Sequence, residues 1–299
     1  MKHLICCALA MALAAFSIHA NEVDMELPLP VVPDSLRTPA KRASYIVAHF
    51  WDNMDFADTT RSHNRDFMEQ NFVNYLSLFP HTPDDTIKVE VPRLMKRAEV
   101  DTIAYNMIAD LADQYLYDAE SPMLDEESYI SFLETILAGK FMDEARRARF
   151  EYEFSDAAKN RKGSTAADFN FIDSEGNRNT LHGLSDGKRS LILLFYDPDC
   201  DHCHDVINTL KETRSIAEKI QSGEIAVLAV YAEGDAEVWN NSKNALPAEW
   251  TNAFSPGDEI EESELYVLRH MPTIYFLGPD NKVLLKDPSV RQLIHYITR

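Results

Sequence analysis

Between about residues 38 and 160 the apolar positions recur every three or four residues. Ile46, Val47, Phe50, Trp51 and Met54 form one stripe; Phe67, Phe72, Tyr75, Leu76 and Phe79 form another. That spacing puts each set on one side of an α-helix. Thr38-Pro39 has the form of a helix start, because proline suits the first helical position. Thr82-Pro83-Asp84-Asp85 opens a third helix, which Pro92 is expected to kink or split. Further helices are predicted over 101–118, with Ile103, Met107, Ile108, Leu111 and Leu116 near one side, over about 126–138 and over about 143–160. Residues 38–160 are therefore expected to form an all-helical domain. No chemistry is legible in it: His49, His63 and His81 are scattered without metal-ligand spacing.

The texture changes at Gly163. Only Gly139 precedes it, and the other eight glycines lie at Gly163 or beyond. Residues 161–165 read as a linker. Ala167 to Ile172 alternates like a strand, and Asp173-Ser174-Glu175-Gly176 signals a turn. Leu191 to Tyr196 is continuously apolar, as expected of a strand buried on both faces. A helical stretch to about Ile220, a strand over 224–231 and a helical, irregular stretch to about Arg269 follow. Strands are predicted over 273–277 and 282–286, joined by Gly278-Pro279-Asp280-Asn281, with a closing helix over 287–299. The order β-α-β then hairpin implies a mixed sheet flanked by helices, so the fold class expected for 163–299 is α/β.

The first twenty residues have the form of a secretory leader. Lys2 is followed by an uncharged apolar run from Leu4 to Phe16, with Ile18-His19-Ala20 at the cleavage point. The run is too short for a comfortable membrane span. Residues 21–37, acidic and rich in proline, read as a tether. Cys6-Cys7 sit too early in the apolar run for lipid attachment. A periplasmic or secreted location, in the cell envelope, is expected.

Composition narrows the picture only a little. At 299 residues, 45% hydrophobic and 26% charged, the chain has the length of two ordinary domains. Its 49 acidic against 29 basic residues give a net charge of −20. That excludes the electrostatic footprint of a general nucleic-acid binder and disfavours anionic membrane surfaces.

Loss of the leader leaves two cysteines, Cys200 and Cys203. They stand directly after a predicted buried strand, at the start of a helix. The first thiol of such a pair meets unpaired N–H groups and the helix dipole, which favour an anion. A thiolate is the nucleophile of disulfide exchange, and a second thiol one turn on can resolve the mixed disulfide. Between them, His202 would stabilise the thiolate, whereas Asp201 and Asp199 would oppose it. At about 5 Å and an effective dielectric near 20, two unit charges interact by about 3 kcal/mol, so the opposed effects are comparable and do not fix the direction of electron flow.

Leu191-Ile192-Leu193-Leu194-Phe195-Tyr196 leading into Cys200-Asp201-His202-Cys203, Met271-Pro272-Thr273 before a strand, and the terminal hairpin from Gly278 to Leu284 together resemble the thioredoxin superfamily over about 163–299. Ala167-Asp168-Phe169 and the long insert after the second strand are most similar to the envelope-facing branch related to TlpA and ResA. The helical half resembles an uncharacterised domain that precedes such modules. The resemblance implies a thioredoxin-like fold and a thiol-disulfide oxidoreductase. It makes Cys200 the attacking and Cys203 the resolving cysteine, Asp201 and His202 tuning residues, and Pro272 a cis-proline beside Met271, which would pair with substrate backbone. Protein thiol or disulfide substrates and a separate redox partner are implied, and no cofactor or metal. Two departures stand out. Asp199 replaces the tryptophan usual before the first cysteine, and Leu194 stands where thioredoxin carries a buried acid. Asp201, His204 or water would then have to take the resolving thiol's proton.

Other readings of the same residues remain. Cys200 to His204 is formally a haem-attachment CxxCH. Cys200, Cys203, His202, His204 and His270 offer metal-ligand chemistry, awkward from one helical turn. A peroxidase lacks its threonine before Cys200. A purely structural disulfide would close too small a loop to stabilise much. A partner-binding protein with a redox-silent scaffold is the reading of a different class.

Overall fold

Side chains that cap free N–H groups mark where the helices of the N-terminal half begin. In the computed structural model, which describes residues 26–233, 235–256, 260 and 263–299, α1 is Pro39–His49, α2 Thr59–Ser62 and α3 Arg65–Leu76. Next come α4 Asp84–Ala98, α5 Thr102–Leu116, α6 Glu126–Ala138 and α7 Glu144–Ala158. Thr38, Asp58, Asn64, Asp101, Asp125 and Asp143 each accept a backbone N–H from the first turn that follows, contacts worth about 1 kcal/mol apiece. Helix α4 lacks such a cap and instead carries Asp84 and Asp85 in its first turn, where the dipole favours them.

The expected stripes meet in one core. Phe67, Phe72 and Tyr75 of α3, Val91 and Met95 of α4, Ile108 of α5, Phe132 and Leu133 of α6 and Phe150 of α7 are fully buried. Helix α4 is not split at Pro92. The proline sits on the exposed face, where the carbonyl it leaves unpaired can turn to water, while Ile87, Val91, Leu94 and Met95 hold the other face down. Part of the segment read as a tether is docked. Leu27 is buried in this core and its N–H donates to Asn71 Oδ1 at 2.7 Å.

The second half is a seven-stranded mixed sheet. Its strands are β1 Asn170–Asp173, β2 Arg178–Thr180, β3 Ser190–Phe195, β4 Ile225–Tyr231, β5 Thr251–Phe254, β6 Thr273–Leu277 and β7 Val283–Lys286. Their spatial order is β2-β1-β5-β4-β3-β6-β7. Strand β3 runs parallel to β4, with Ile192 opposite Val227, and antiparallel to β6, with Leu193 opposite Tyr275. Side chains alternate across β3. Ile192 and Leu194 pack beneath α8 Asp201–Glu212, α9 Arg214–Gln221 and α11 Val290–Thr298, whereas Leu191, Leu193 and Phe195 pack with Phe169, Tyr266 and Tyr275 on the other face. The single helix expected after Cys200 is two helices, broken at Thr213. The stretch expected to be helical and irregular holds α10 Ala236–Ser242 and then strand β5.

The halves touch through polar side chains around residues 159–162. Arg161 pairs with Glu127 of α6 at 2.8 Å, and Lys159 with Glu264 at 2.9 Å. Asn160 donates to the Leu265 carbonyl and accepts the Ala167 N–H, both at 2.8 Å. Lys286 of β7, largely buried, donates to the carbonyls of Asp156, Ala157 and Lys159 and so satisfies the end of α7.

Candidate functional site

Cys200 is the N-cap residue of α8. The buried strand β3 delivers the chain to Asp197-Pro198-Asp199, where the Cys200 N–H donates to the Asp197 carbonyl at 3.2 Å. In that cap position the Cys200 Sγ accepts the Cys203 N–H at 3.2 Å. A side chain accepting a first-turn N–H gains from being anionic. The pair is a dithiol, Cys200 partly exposed and Cys203 buried. Burial first, then the hydrogen bond to Cys200, pushes the Cys203 thiol up to about 12. One sulfur is thus partly exposed, and the other is buried and held protonated.

The opposite wall is the segment before β6. The Met271–Pro272 peptide is cis, and the Met271 carbonyl lies 3.7 Å from the Cys200 sulfur. Thr273 Oγ1 donates to the His270 carbonyl at 2.6 Å. His270 Nδ1 lies 3.1 Å from the Pro272 carbonyl, and its Nε2 is 3.0 Å from Asp287 Oδ2. The Asp287 carboxylate raises the His270 pKa.

Of the residues singled out in the sequence, Cys200, Cys203, Met271 and Pro272 come together at this wall. Asp201 and His202 lie exposed on the first turn of α8, close in sequence to the sulfur and away from the cis-proline segment's hydrogen bonds. His204 is also exposed, whereas Leu194 is buried under α8 as aliphatic core. The proton acceptors suggested by the sequence therefore do not share the buried side of Cys203. Polar side chains the sequence did not flag do. Tyr196 and Trp239 belong to the same core cluster as Cys203. Tyr196 donates to Asn252 Oδ1 at 3.0 Å, as does Trp239 Nε1 at 3.3 Å, and the Asn252 amide donates onward to the Lys243 carbonyl. Burial pushes the Tyr196 hydroxyl up to about 12, and charge on Cys203 adds to that rise. Tyr196, His204 and Ile207 also line a small cavity of about 110 Å³ beside α8. Their one sequence signal was Tyr196 at the end of the apolar run. Asn252 and Trp239 sit in a stretch with no readable period.

Among the described residues no group of three or more His, Cys, Asp or Glu side chains is placed to hold a metal ion. No helix among them is long and apolar enough to cross a membrane.

A known structure shares this architecture. A thioredoxin-like protein from Bacteroides caccae superposes with a TM-score of 0.83 at 34% identity, over 91% of this chain and 97% of that one. The chain belongs to the thioredoxin-like proteins. Two structures from Bacteroides fragilis match about half of this thioredoxin-like chain. One, a conserved protein of unknown function, is 32% identical over 46% of this chain and 98% of its own, with a TM-score of 0.44. The other, the C-terminal domain of an uncharacterised protein, is 30% identical over 48% and 100%, with a TM-score of 0.46. Residues 12–160 match a domain of unknown function, DUF5106. No curated protein matches the chain.

Proposed function

We infer that this thioredoxin-like protein exchanges thiols and disulfides with protein substrates in the cell envelope. The observation that carries the reading is Cys200 at the head of α8, its sulfur between the Cys203 N–H and the Met271 carbonyl. The leader that supports export lies outside the described residues.

In the direction of substrate reduction, the Cys200 thiolate attacks one sulfur of a substrate disulfide. A Cys200–substrate bond forms, the substrate S–S bond breaks, and one substrate thiol leaves after taking a proton. Cys203 then gives up its proton and attacks the Cys200 sulfur. The Cys200–Cys203 bond forms and the second substrate thiol leaves with that proton. Two electrons and two protons have passed to the substrate, and a separate dithiol donor returns the pair to its reduced form. Met271 and Pro272 line the place where substrate backbone would lie, and Asp201 and His202 tune the sulfur's charge. Their exposure keeps those tuning effects well below the buried limit. Covalent haem attachment fits poorly, since Cys203 is fully buried and both sulfurs would need to reach the haem.

The test is trapping. Full chain with Cys203→Ala, produced with its leader, is expected to accumulate mixed disulfides with other envelope proteins, and Cys200→Ser none. A Cys203→Ala protein that gathers no mixed disulfides would overturn the exchange reading in favour of the partner-binding scaffold.

A further inference from the structure

The helical half reaches the segment beside Cys200 through Glu126 and Tyr117. Glu126, the first residue of α6, lies between two cations of the sheet half. Its Oε1 is 2.7 Å from Arg269 Nη1, and its Oε2 is 2.6 Å from Lys286 Nζ. Glu126 and Lys286 side chains are each only 10% exposed. At this burial the attraction between these charges is weakly screened. Arg269 also lays its guanidinium 3.8 Å from the centre of the Tyr117 ring, at the end of α5, an arrangement that a planar cation makes and an ammonium does not reproduce.

Arg269 begins the segment that ends at the cis-proline. Two residues on, the Met271 carbonyl faces the Cys200 sulfur. The segment has a second anchor in its own half, His270 on Asp287 and on the Pro272 carbonyl. Between these anchors the position of the Met271 carbonyl is fixed, and a carbonyl oxygen held at a sulfur favours the thiol over the thiolate.

We propose that Glu126 of the helical half is a positioning residue for the exchange site: through Arg269 it holds the 269–272 segment, and with it the Met271 carbonyl, against Cys200. The purpose of this contact rests on the exchange reading above, but its geometry does not. It gives the helical half a task at the site without any reacting group of its own.

The experiment is the rate at which iodoacetamide labels Cys200 in the full chain, read by mass spectrometry, with labelling of Cys203 in the same sample reporting any opening of the fold. Two variants are compared with the wild type. Glu126→Gln removes the central charge. Arg269→Met removes the cation through which Glu126 would act and leaves Glu126 paired with Lys286. Release of the Met271 carbonyl is expected to speed Cys200 labelling in both by about three-fold or more, the thiolate being the form that is alkylated, with Cys203 still protected. If either variant labels Cys200 at the wild-type rate, the positioning role is overturned. It is overturned equally if Cys203 labels in step with Cys200, which would mean a loosened fold. Should Glu126→Gln fail to fold, as the loss of one partner of a buried pair can cause, Arg269→Met decides by itself. Labelling needs no exchange activity, so failure of this proposal and failure of the exchange reading are told apart.

Discussion

The backbone N–H of Cys203 donates to the sulfur of Cys200 at 3.2 Å. Two thiols one helical turn apart are thereby made unequal. Cys200 is the cap, partly exposed, its sulfur accepting an N–H of the helix it starts. Cys203, facing the core, is kept protonated by burial and by its neighbour's sulfur. An exchange pair needs that asymmetry, one sulfur to attack and one to wait.

The asymmetry has a pH signature. With Cys203 at about 12 against 9.0 for an ordinary thiol, the folded protein holds a proton that the unfolded chain releases. The stability tied to that proton is present below about pH 9 and is lost as pH rises towards 12. Unfolding by urea, followed from pH 7 to 11, should show a falling alkaline limb in the reduced protein. Cys203→Ala should flatten that limb. A limb of unchanged slope in the variant would mean that other groups, such as the buried tyrosines, account for it.

Charge beside Cys200 should move the redox potential in a fixed direction. Asp201→Asn removes an anion from the first turn of α8, which favours the Cys200 thiolate and hence the reduced pair. The potential is expected to rise by on the order of 10–30 mV, modest because the side chain is exposed to water and salt. His202→Asn should lower it by a similar amount. Equilibration with glutathione buffers measures both, and shifts in the reverse order would show that these two residues do not tune the sulfur through charge.

The legible parts of this fold are those whose pattern is local. Leu191 to Tyr196 announces a strand buried on both faces, and the cysteine pair after it announces a cap. Thr273 to Leu277, the turn at Gly278 and the strand after it read directly as a hairpin. Helix α6 falls where its apolar period ends, at Glu126–Ala138. The illegible parts are stabilised from a distance. Strand β5 is four residues with no alternation of its own, and it exists because β1 and β4 flank it on both sides. Strand β2 is three polar residues held by β1 alone. Glu126 reads as an ordinary acid in a helix's first turn. Nothing in its local sequence says that Arg269 and Lys286, some 140 and 160 residues further on, converge on it.

His270 should titrate as a paired histidine. Asp287 first, and the Pro272 carbonyl after it, raise its pKa above the ordinary 6.5. The stability it contributes is fully present below about pH 6.5 and is lost as pH rises through the higher folded value. An NMR titration of the His270 ring should give a midpoint above 6.5 in the wild type, and Asp287→Asn should lower it. A midpoint indifferent to Asp287→Asn would mean that the pair does not form in solution.

Lys286 is expected to be the most sensitive single contact between the two halves. Its ammonium is 10% exposed, faces Glu126 and donates to three carbonyls at the end of α7. Burial lowers its pKa and Glu126 opposes that fall, so its charge is sustained by the partner across the interface. Lys286→Met fills the same space and leaves Glu126 with Arg269 alone and the three carbonyls without their donor. Breaking a buried pair from one side costs about 3–5 kcal/mol, and the surviving Arg269 contact should keep the loss towards the lower figure. Chemical denaturation read separately by tryptophan and by far-ultraviolet circular dichroism gives the measurement. The two curves should coincide in the wild type and come apart in the variant, because the contact removed joins the two halves. Coincident curves at an unchanged midpoint would mean that Arg161–Glu127 and the Asn160 hydrogen bonds join the halves without Lys286.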